Sequence, residues 1–419
     1  MRRQILTSVS NSSIAFILYD YPIGVSSMII NSINLFVEKG YSVDIYTNER
    51  NFSRSPIELP HVRIFRFDDK HKSILFKLWR YVFWLSGNLL LPVIRWMTTE
   101  YCLLLFFNDI YHFSRWLIKR ILNQTYLFIV PVEYFSLICC DHVPEKNRIV
   151  YYNMELLDWG HQNTPVTKNK LIVKTLEFRE IQKISHAVIP SPLRKDIFAK
   201  INAFNKKSCY ILPVASTGPA VAIKSKYFRN LFHIYDSDRI VIYSGNFKPW
   251  AKCLEIIQSV SSWPKGYILV MHTWSDSAVQ SSYFEEMRKQ ATDLPIYFST
   301  EFIDYNELAS ALSSADIGLA FYDEIDDNFT EILFSSNKIA EYLKAGLPII
   351  CSDFPSLKKF VDTHHIGMAV AVEGIAKGIR AIGNNLDSYR KNALNCYEKS
   401  YRFDFFFESF LNDITLNIQ

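Results

Sequence analysis

Residues 334–355 read FSSNKIAEYLKAGLPIICSDFP, a loop, a helix and a short buried strand in quick succession. Ser335, Ser336 and Asn337 carry short polar side chains that can accept hydrogen bonds from the first free N–H groups of a helix. Ile339, Ala340, Leu343 and Ala345 repeat at helical spacing, Gly346 closes the helix, and Pro348 keeps it from resuming. Ile349, Ile350 and Cys351 then supply an apolar strand. A helix start, with open N–H groups and the positive end of a dipole, suits a phosphate. Lys338 adds a full charge there, and Glu341, one turn on, returns to the same face where it can accept hydrogen bonds from sugar hydroxyls. The stretch reads as a nucleotide-diphosphate cradle built from Ser336, Asn337, Lys338 and Glu341.

Upstream the same order of elements recurs. A strand at Arg239 to Tyr243 leads through Ser244-Gly245-Asn246-Phe247-Lys248-Pro249-Trp250-Ala251-Lys252 into a helix at Cys253 to Val260. Strand ends of open α/β sheets are where ligands bind. Tyr322, after the strand Asp316 to Phe321, is a candidate for the base or sugar pocket.

These two stretches resemble the donor-binding segments of retaining GT-B glycosyltransferases of the family 4 type, the group that builds bacterial polysaccharides. In that family a Glu on the donor ribose precedes an A-x-G-x-P-[IV] turn; Glu341 and Ala345 to Ile349 match. A strand-end Gly followed seven residues later by a Lys binds the diphosphate; Gly245 and Lys252 match. Two positions depart. The family's further Glu near the transferred sugar is Leu333 here, with Glu331 close by as a substitute, and the usual basic residue after the Gly is Asn246, with Lys248 as the replacement charge. The resemblance implies an α/β GT-B architecture, two Rossmann-like domains facing a central cleft, with a C-terminal helix crossing back to the first domain. The expected division is 1–210, an acceptor domain; 211–398, a nucleotide-sugar donor domain; and 399–419, the returning helix.

The chain's bulk properties agree with a globular protein of that size. Its 419 residues suffice for two α/β cores, and 49% hydrophobic against 21% charged residues excludes a disordered composition. A net charge of +4 is too small to argue for nucleic acid. The seven cysteines are scattered without a C-x-x-C pair, the usage of a reducing cytoplasm. The basic start MRRQILTSVSNSS has no long apolar core and does not read as a secretory peptide.

The first half opens as strand (Ser13 to Tyr19), Gly24-containing loop, helix and strand (Val43 to Tyr46), and the resemblance places Gly24 against donor or acceptor. Residues 70–122 are crowded with Trp, Tyr, Phe and Leu, and Lys and Arg dominate their polar positions. Their apolar runs fall short of the roughly 20 residues that cross a bilayer. They are expected to form interfacial helices, pressing aromatics among lipid headgroups with basic residues on anionic lipid. Glu133 follows the strand Tyr126 to Val132; the resemblance puts the residue closing this strand on the catalytic face, where a carboxylate would steady an oxocarbenium-like transition state. Glu177, Arg179 and Glu180 read as a solvated helix face, and the acidic run Asp323, Glu324, Asp326 and Asp327 as a mobile solvated loop.

No D-x-D motif precedes a metal-binding loop, so the expected reaction needs neither metal nor cofactor. The expected protein is a cytoplasmic enzyme, peripheral on the inner face of the membrane. It would move a sugar from a nucleotide-diphosphate donor to a saccharide or lipid-linked acceptor in cell-surface polysaccharide synthesis. Lys252 and Lys338 would stabilise the leaving diphosphate, Glu341 would hold the ribose, and Glu133 or Glu331 would attend the sugar. The alternative is a catalytically silent scaffold of the same fold.

Overall fold

The computed structural model describes residues 12–22, 26–48, 60–68, 109–144, 146–160 and 168–418. Gly24, residues 70–108 of the aromatic region and the basic start lie outside them. The chain divides into two compact units, one of residues 1–212 and 407–419, the other of residues 213–406.

In the first unit, β1 (Ser13–Leu18), β2 (Ser42–Thr47), β3 (Val62–Arg66) and β4 (Tyr126–Pro131) form a parallel sheet in the order β3-β2-β1-β4. A second parallel sheet, β5 (Val150–Tyr152), β6 (His186–Ile189) and β7 (Cys209–Ile211), joins it through single bridges between Ile129 and Ile149 and between Val132 and Tyr152. Apart from the edge strands β3 and β7, these strands are nearly continuous buried runs, mostly of apolar and aromatic residues, as expected of a sheet covered on both faces. The helix Ser27–Glu38 covers one face, and Phe36 packs its ring 4.8 Å from that of Phe407 in the final helix, Phe403–Ile418.

The helical segment 109–121 corrects part of the interfacial reading. Phe113, Trp116, Leu117 and Ile121 are buried in the core of this unit, with Phe67 stacked edge-on against both aromatics at 5.6 Å. Here the wide apolar face is spent on the protein's own sheet, and the exposed stripe is Tyr111, Arg115, Lys119 and Leu122. The helix Lys168–Ile181 also differs from expectation. Glu177 and Glu180 are buried, because Lys174 and Lys183 pair with them at 2.7 and 2.8 Å; only Arg179 is solvated.

The second unit is a six-stranded parallel sheet: β8 (Arg239–Ser244), β9 (Tyr267–His272), β10 (Ile296–Ser299), β11 (Ile317–Ala320), β12 (Ile349–Cys351) and β13 (Gly367–Ala369). Its order, β10-β9-β8-β11-β12-β13, reverses direction between β8 and β11. Reversal leaves a crevice at the carboxyl ends of those two strands, where open sheets of this kind take their ligands. The crossover helix after β11, Asn337–Lys344, runs antiparallel to the strands, so its start lies at that crevice. Tyr342 fixes it there. Its hydroxyl accepts from Ser244 N at 2.7 Å, and a side chain at Gly318 would collide with its ring, a Cβ there standing 2.5 Å from Cδ2.

Candidate functional site

At the β8–β11 switch point, Ser336 caps the helix Asn337–Lys344. Its Oγ accepts from Ile339 N at 3.3 Å and shares a 2.5 Å hydrogen bond with the Tyr322 hydroxyl. Asn337, the first helical residue, is exposed. Lys338 turns its Nζ into a slot between two rings, 4.2 Å from the Tyr243 centroid and 4.7 Å from that of Tyr322. Gly245 makes room for it. A Cβ at that residue would stand 3.1 Å from Lys338 Cε, and its φ of 155° disfavours any side chain. Among the described residues this ammonium is buried and has no hydrogen-bond partner. Burial pushes its pKa down to about 8 from the ordinary 10.5, since a desolvated charge is costly.

Glu341 is 2% exposed, and neither carboxyl oxygen has a partner among the described residues. Burial raises its pKa, and the Lys344 ammonium, then the nearby Ser216 hydroxyl, offset part of the rise.

Lys252 lines the same cleft as Tyr322. It occupies the left-handed region, φ 55°, at the joint between a short turn, Pro249–Ala251, and the helix Cys253–Ser259. Its Nζ is ion-paired with Asp323 and stands 3.7 Å from Glu255. Those anions, led by Asp323, raise its pKa. Lys252 and Lys338 therefore flank the consecutive residues Tyr322 and Asp323, one held by a carboxylate and the other by two rings. Lys248 is exposed on the loop between them and β8.

The acidic run is not a free loop. Asp323 holds Lys252, and Asp326 caps the short helix Asp327–Thr330 by accepting from Asn328 N at 2.9 Å. Asp323, Glu324, Asp353 and Glu373 edge a cleft of about 650 Å³ at the carboxyl ends of β11, β12 and β13, which Lys252 and Tyr322 also line. Leu333, at the position of the family's sugar-side Glu, is buried in the hydrophobic core. Glu331, half-buried, follows the short helix. Tyr243, Asp323 and Trp250, whose ring lies parallel to that of Tyr322 at 6.5 Å, were not legible as site residues. Tyr243 reads as strand core, and nothing in the sequence pairs Asp323 with Lys252.

In the first unit Glu133 stands at the matching reversal, between β1 and β4. Its φ of 63° is left-handed. It does not cap its own helix; instead Oε1 accepts from Met154 N at 2.9 Å and Glu155 N at 3.1 Å. Burial, followed by the charge of Glu155, raises its pKa well above the carboxylate range.

A model of the C-terminal domain of glucosyltransferase 3-like proteins matches residues 267–413. No curated protein matches the sequence. Among solved structures, sucrose-phosphate synthase from Thermosynechococcus elongatus superposes with a TM-score of 0.67 at 14% identity, over 96% of this chain and 98% of its own. The Anabaena protein HepE, in complex with UDP-glucose, gives 0.68 at 11% identity, over 96% and 99%. WaaG, a glycosyltransferase involved in lipopolysaccharide biosynthesis, gives 0.63 at 11%, over 96% and 99%. The α/β fold with parallel sheets is thus that of the GT-B glycosyltransferases.

Proposed function

We propose that this protein is a retaining, metal-independent glycosyltransferase. It moves a sugar from a nucleotide-diphosphate donor to a saccharide or lipid-linked acceptor in cell-surface polysaccharide synthesis. The observation that carries the reading is the unpartnered, buried ammonium of Lys338 at the sheet's reversal point, beside a capped helix start. A diphosphate would supply the counter-charge this ammonium lacks, and helix N–H groups would take its oxygens. Lys252 would exchange Asp323 for the same anion, and Lys248 would add charge from its loop. Glu341, with two unpaired oxygens one turn along, suits the ribose hydroxyls. Glu133 and Glu331 would attend the sugar.

The UDP-glucose bound to HepE supports a uridine nucleotide as the first donor to try. A thermal-shift panel of nucleoside diphosphates tests the cradle, because a ligand that binds only the folded state raises the melting temperature. Lys252→Ala should slow transfer at least about a hundredfold, the scale on which one charge-stabilising group acts. An unchanged rate would remove Lys252 from the mechanism.

The burial of Leu333 in the core favours a second reading, a catalytically silent scaffold with the same fold. Nucleotide binding without transfer or hydrolysis would select it. Attachment to the inner membrane face belongs to the first reading. Among the described residues no helix is long and apolar enough to cross a membrane. The exposed Tyr111, Arg115, Lys119 and Leu122 would be part of a peripheral contact, and recovery in the soluble fraction after liposome flotation would refute it.

A further inference from the structure

The six-stranded sheet of the second unit ends on one side at β10, which pairs with β9 and with no other strand among the described residues. Leu269 N donates to Pro295 O and Thr273 N to Ser299 O, both at 3.0 Å. In a parallel ladder alternate residues bond to alternate sides, so residues 295, 297 and 299 turn to β9. The backbone groups of Ile296, Phe298 and Thr300 therefore point outward along an open edge. Of these, the Ile296 N–H is already spent on Leu294 O at 2.8 Å.

Open edges are commonly guarded by charge, proline or a bulge. β10 reads Ile-Tyr-Phe-Ser and follows β9 without a break in register. Pro295 stands just before it, on the side that faces β9, and leaves the outer side unguarded. The surface beside this edge is apolar. Tyr297 is 37% exposed, and its ring stacks on that of Phe232 at 4.9 Å. Tyr227 and Leu231, four residues apart on the helix Tyr227–Phe232, are exposed as well, and so is Phe302 just past the strand. An apolar surface beside an unguarded edge marks a docking site for another chain.

Two features make that chain a second copy of this one. The first is register. In antiparallel self-pairing centred on Phe298, the Phe298 N–H donates to the Phe298 carbonyl of the other copy, and the Thr300 N–H to its Ile296 carbonyl, once in each direction. Both free outward donors are used, and the donor this pairing does not need, Ile296 N–H, is the one already bonded to Leu294. The second feature is charge. Glu301, Asp304 and Glu307 follow the carboxyl end of β10 with no basic residue among them. Before its amino end, the last turn of the helix Ser282–Gln290 carries Arg288 and Lys289, against Asp293 alone in the turn that follows. Gln290 accepts from Gln258 on the neighbouring helix Cys253–Ser259 at 2.9 Å, so Arg288, 61% exposed, lies on the opposite side of its own helix, toward the edge. Antiparallel pairing sets the acidic end of each copy beside the basic end of the other, whereas parallel pairing would gather the acids.

We propose that two copies of this chain associate through the open edge of β10, joining their six-stranded sheets about a two-fold axis at Phe298. Such a contact uses the same surface twice and closes on itself. The axis stands perpendicular to the sheet. The two helices Tyr227–Phe232 therefore share one face, and the crevices at the strand carboxyl ends open in opposite directions. The dimer is independent of what those crevices bind.

Sedimentation velocity on the full chain, from about 1 to 200 µM, tests it, since self-association makes the observed mass depend on concentration. The mass should climb from one chain toward two. Hydrogen exchange read by mass spectrometry adds the location: the amides of Phe298 and Thr300 should gain protection as the dimer forms, while those of Tyr297 and Ser299, bonded to β9, should be protected throughout. Thr300→Pro removes an outward N–H without touching the bonds to β9, and Tyr297→Lys sets a charge in the seam. Each should weaken self-association at least about tenfold while the far-ultraviolet circular dichroism stays that of wild type. Raising NaCl from about 0.05 to 0.5 M should loosen the dimer several-fold, because salt screens the paired ends.

A chain that stays monomeric throughout overturns the proposal and leaves the edge to a partner of another kind. A dimer in which residues 296–300 exchange as in the monomer, or which both variants leave intact, overturns it too. One that tightens in salt removes the antiparallel orientation on which the choice of a second copy depends.

Discussion

Lys338→Met should make the protein more stable and unable to hold a nucleotide. The Lys338 ammonium is buried without a hydrogen-bond partner among the described residues, and burial lowers its pKa to about 8 from 10.5. A difference of that size is about 3 kcal/mol against the charged form. The rings of Tyr243 and Tyr322, at 4.2 and 4.7 Å, return about 1–2 kcal/mol by cation–π attraction. Methionine is close in length, carries no charge and packs well against aromatic rings. At pH 7 the variant should therefore gain about 1–2 kcal/mol, a rise of about 2–8 °C in melting temperature for a unit of this size.

The penalty on this charge also varies with pH. Below pH 8 the lysine is charged in both the folded and the unfolded states, and the penalty is fully present. Above pH 8 the folded protein sheds the proton, while the unfolded chain keeps it until about 10.5. The unfolded state then binds more protons, so this group makes wild-type stability rise with pH across that window. The advantage of the Met variant should shrink between pH 8 and pH 10. Urea denaturation of both proteins at pH 7, 8, 9 and 10 measures it, with UDP calorimetry alongside. A Met variant less stable at pH 7, or a margin that does not shrink, would refute the account of a buried, unpaired charge. A stable variant that still bound UDP as tightly as wild type would refute the role given to that charge.

The remaining predictions probe the same corner. Asp323→Asn should tighten nucleoside-diphosphate binding by up to about fivefold in calorimetry, because a half-exposed ion pair worth up to about 1 kcal/mol no longer competes for Lys252; weaker binding would mean that Asp323 serves the ligand. Gly245→Ala should cost at least about tenfold in UDP affinity, since its Cβ would lie 3.1 Å from Lys338 Cε, and the stability it loses should be partly restored in a Gly245→Ala, Lys338→Met double variant. Equal losses in the single and double variants would mean the two residues do not meet.

The elements of the second unit were legible because each has a local chemical cause. Ser336 caps, Gly346 stops and Pro348 prevents resumption within one short stretch, and the apolar runs of β8, β9 and β11 leave little choice but buried parallel strands. The position of Lys338 over Gly245 also follows, once strand and crossover helix share a sheet end. The environment of each charge was not legible, because it depends on partners distant in sequence. Lys252 lies 71 residues from Asp323, and no spacing rule joins them. Glu177 and Glu180 carry the charges of a solvated face, yet Lys174 and Lys183 take them into the interior. Pattern fixes where a side chain starts; its charge state is set by what arrives from elsewhere.

That distinction explains why the two candidate sites differ in kind. At the sheet reversal of the second unit, the buried groups without a partner among the described residues include a cation, Lys338, and an acid, Glu341, a few residues apart on one helix. A ligand that satisfies both must itself carry an anion and, a short distance away, hydroxyl groups, which describes a nucleoside diphosphate and few other metabolites. At the reversal of the first unit they include a carboxyl oxygen of Glu133 and the amide oxygen of Asn153, behind which the Lys174–Glu177 charges are matched. A protein that merely reused the fold as a scaffold would have no reason to carry the cost of both.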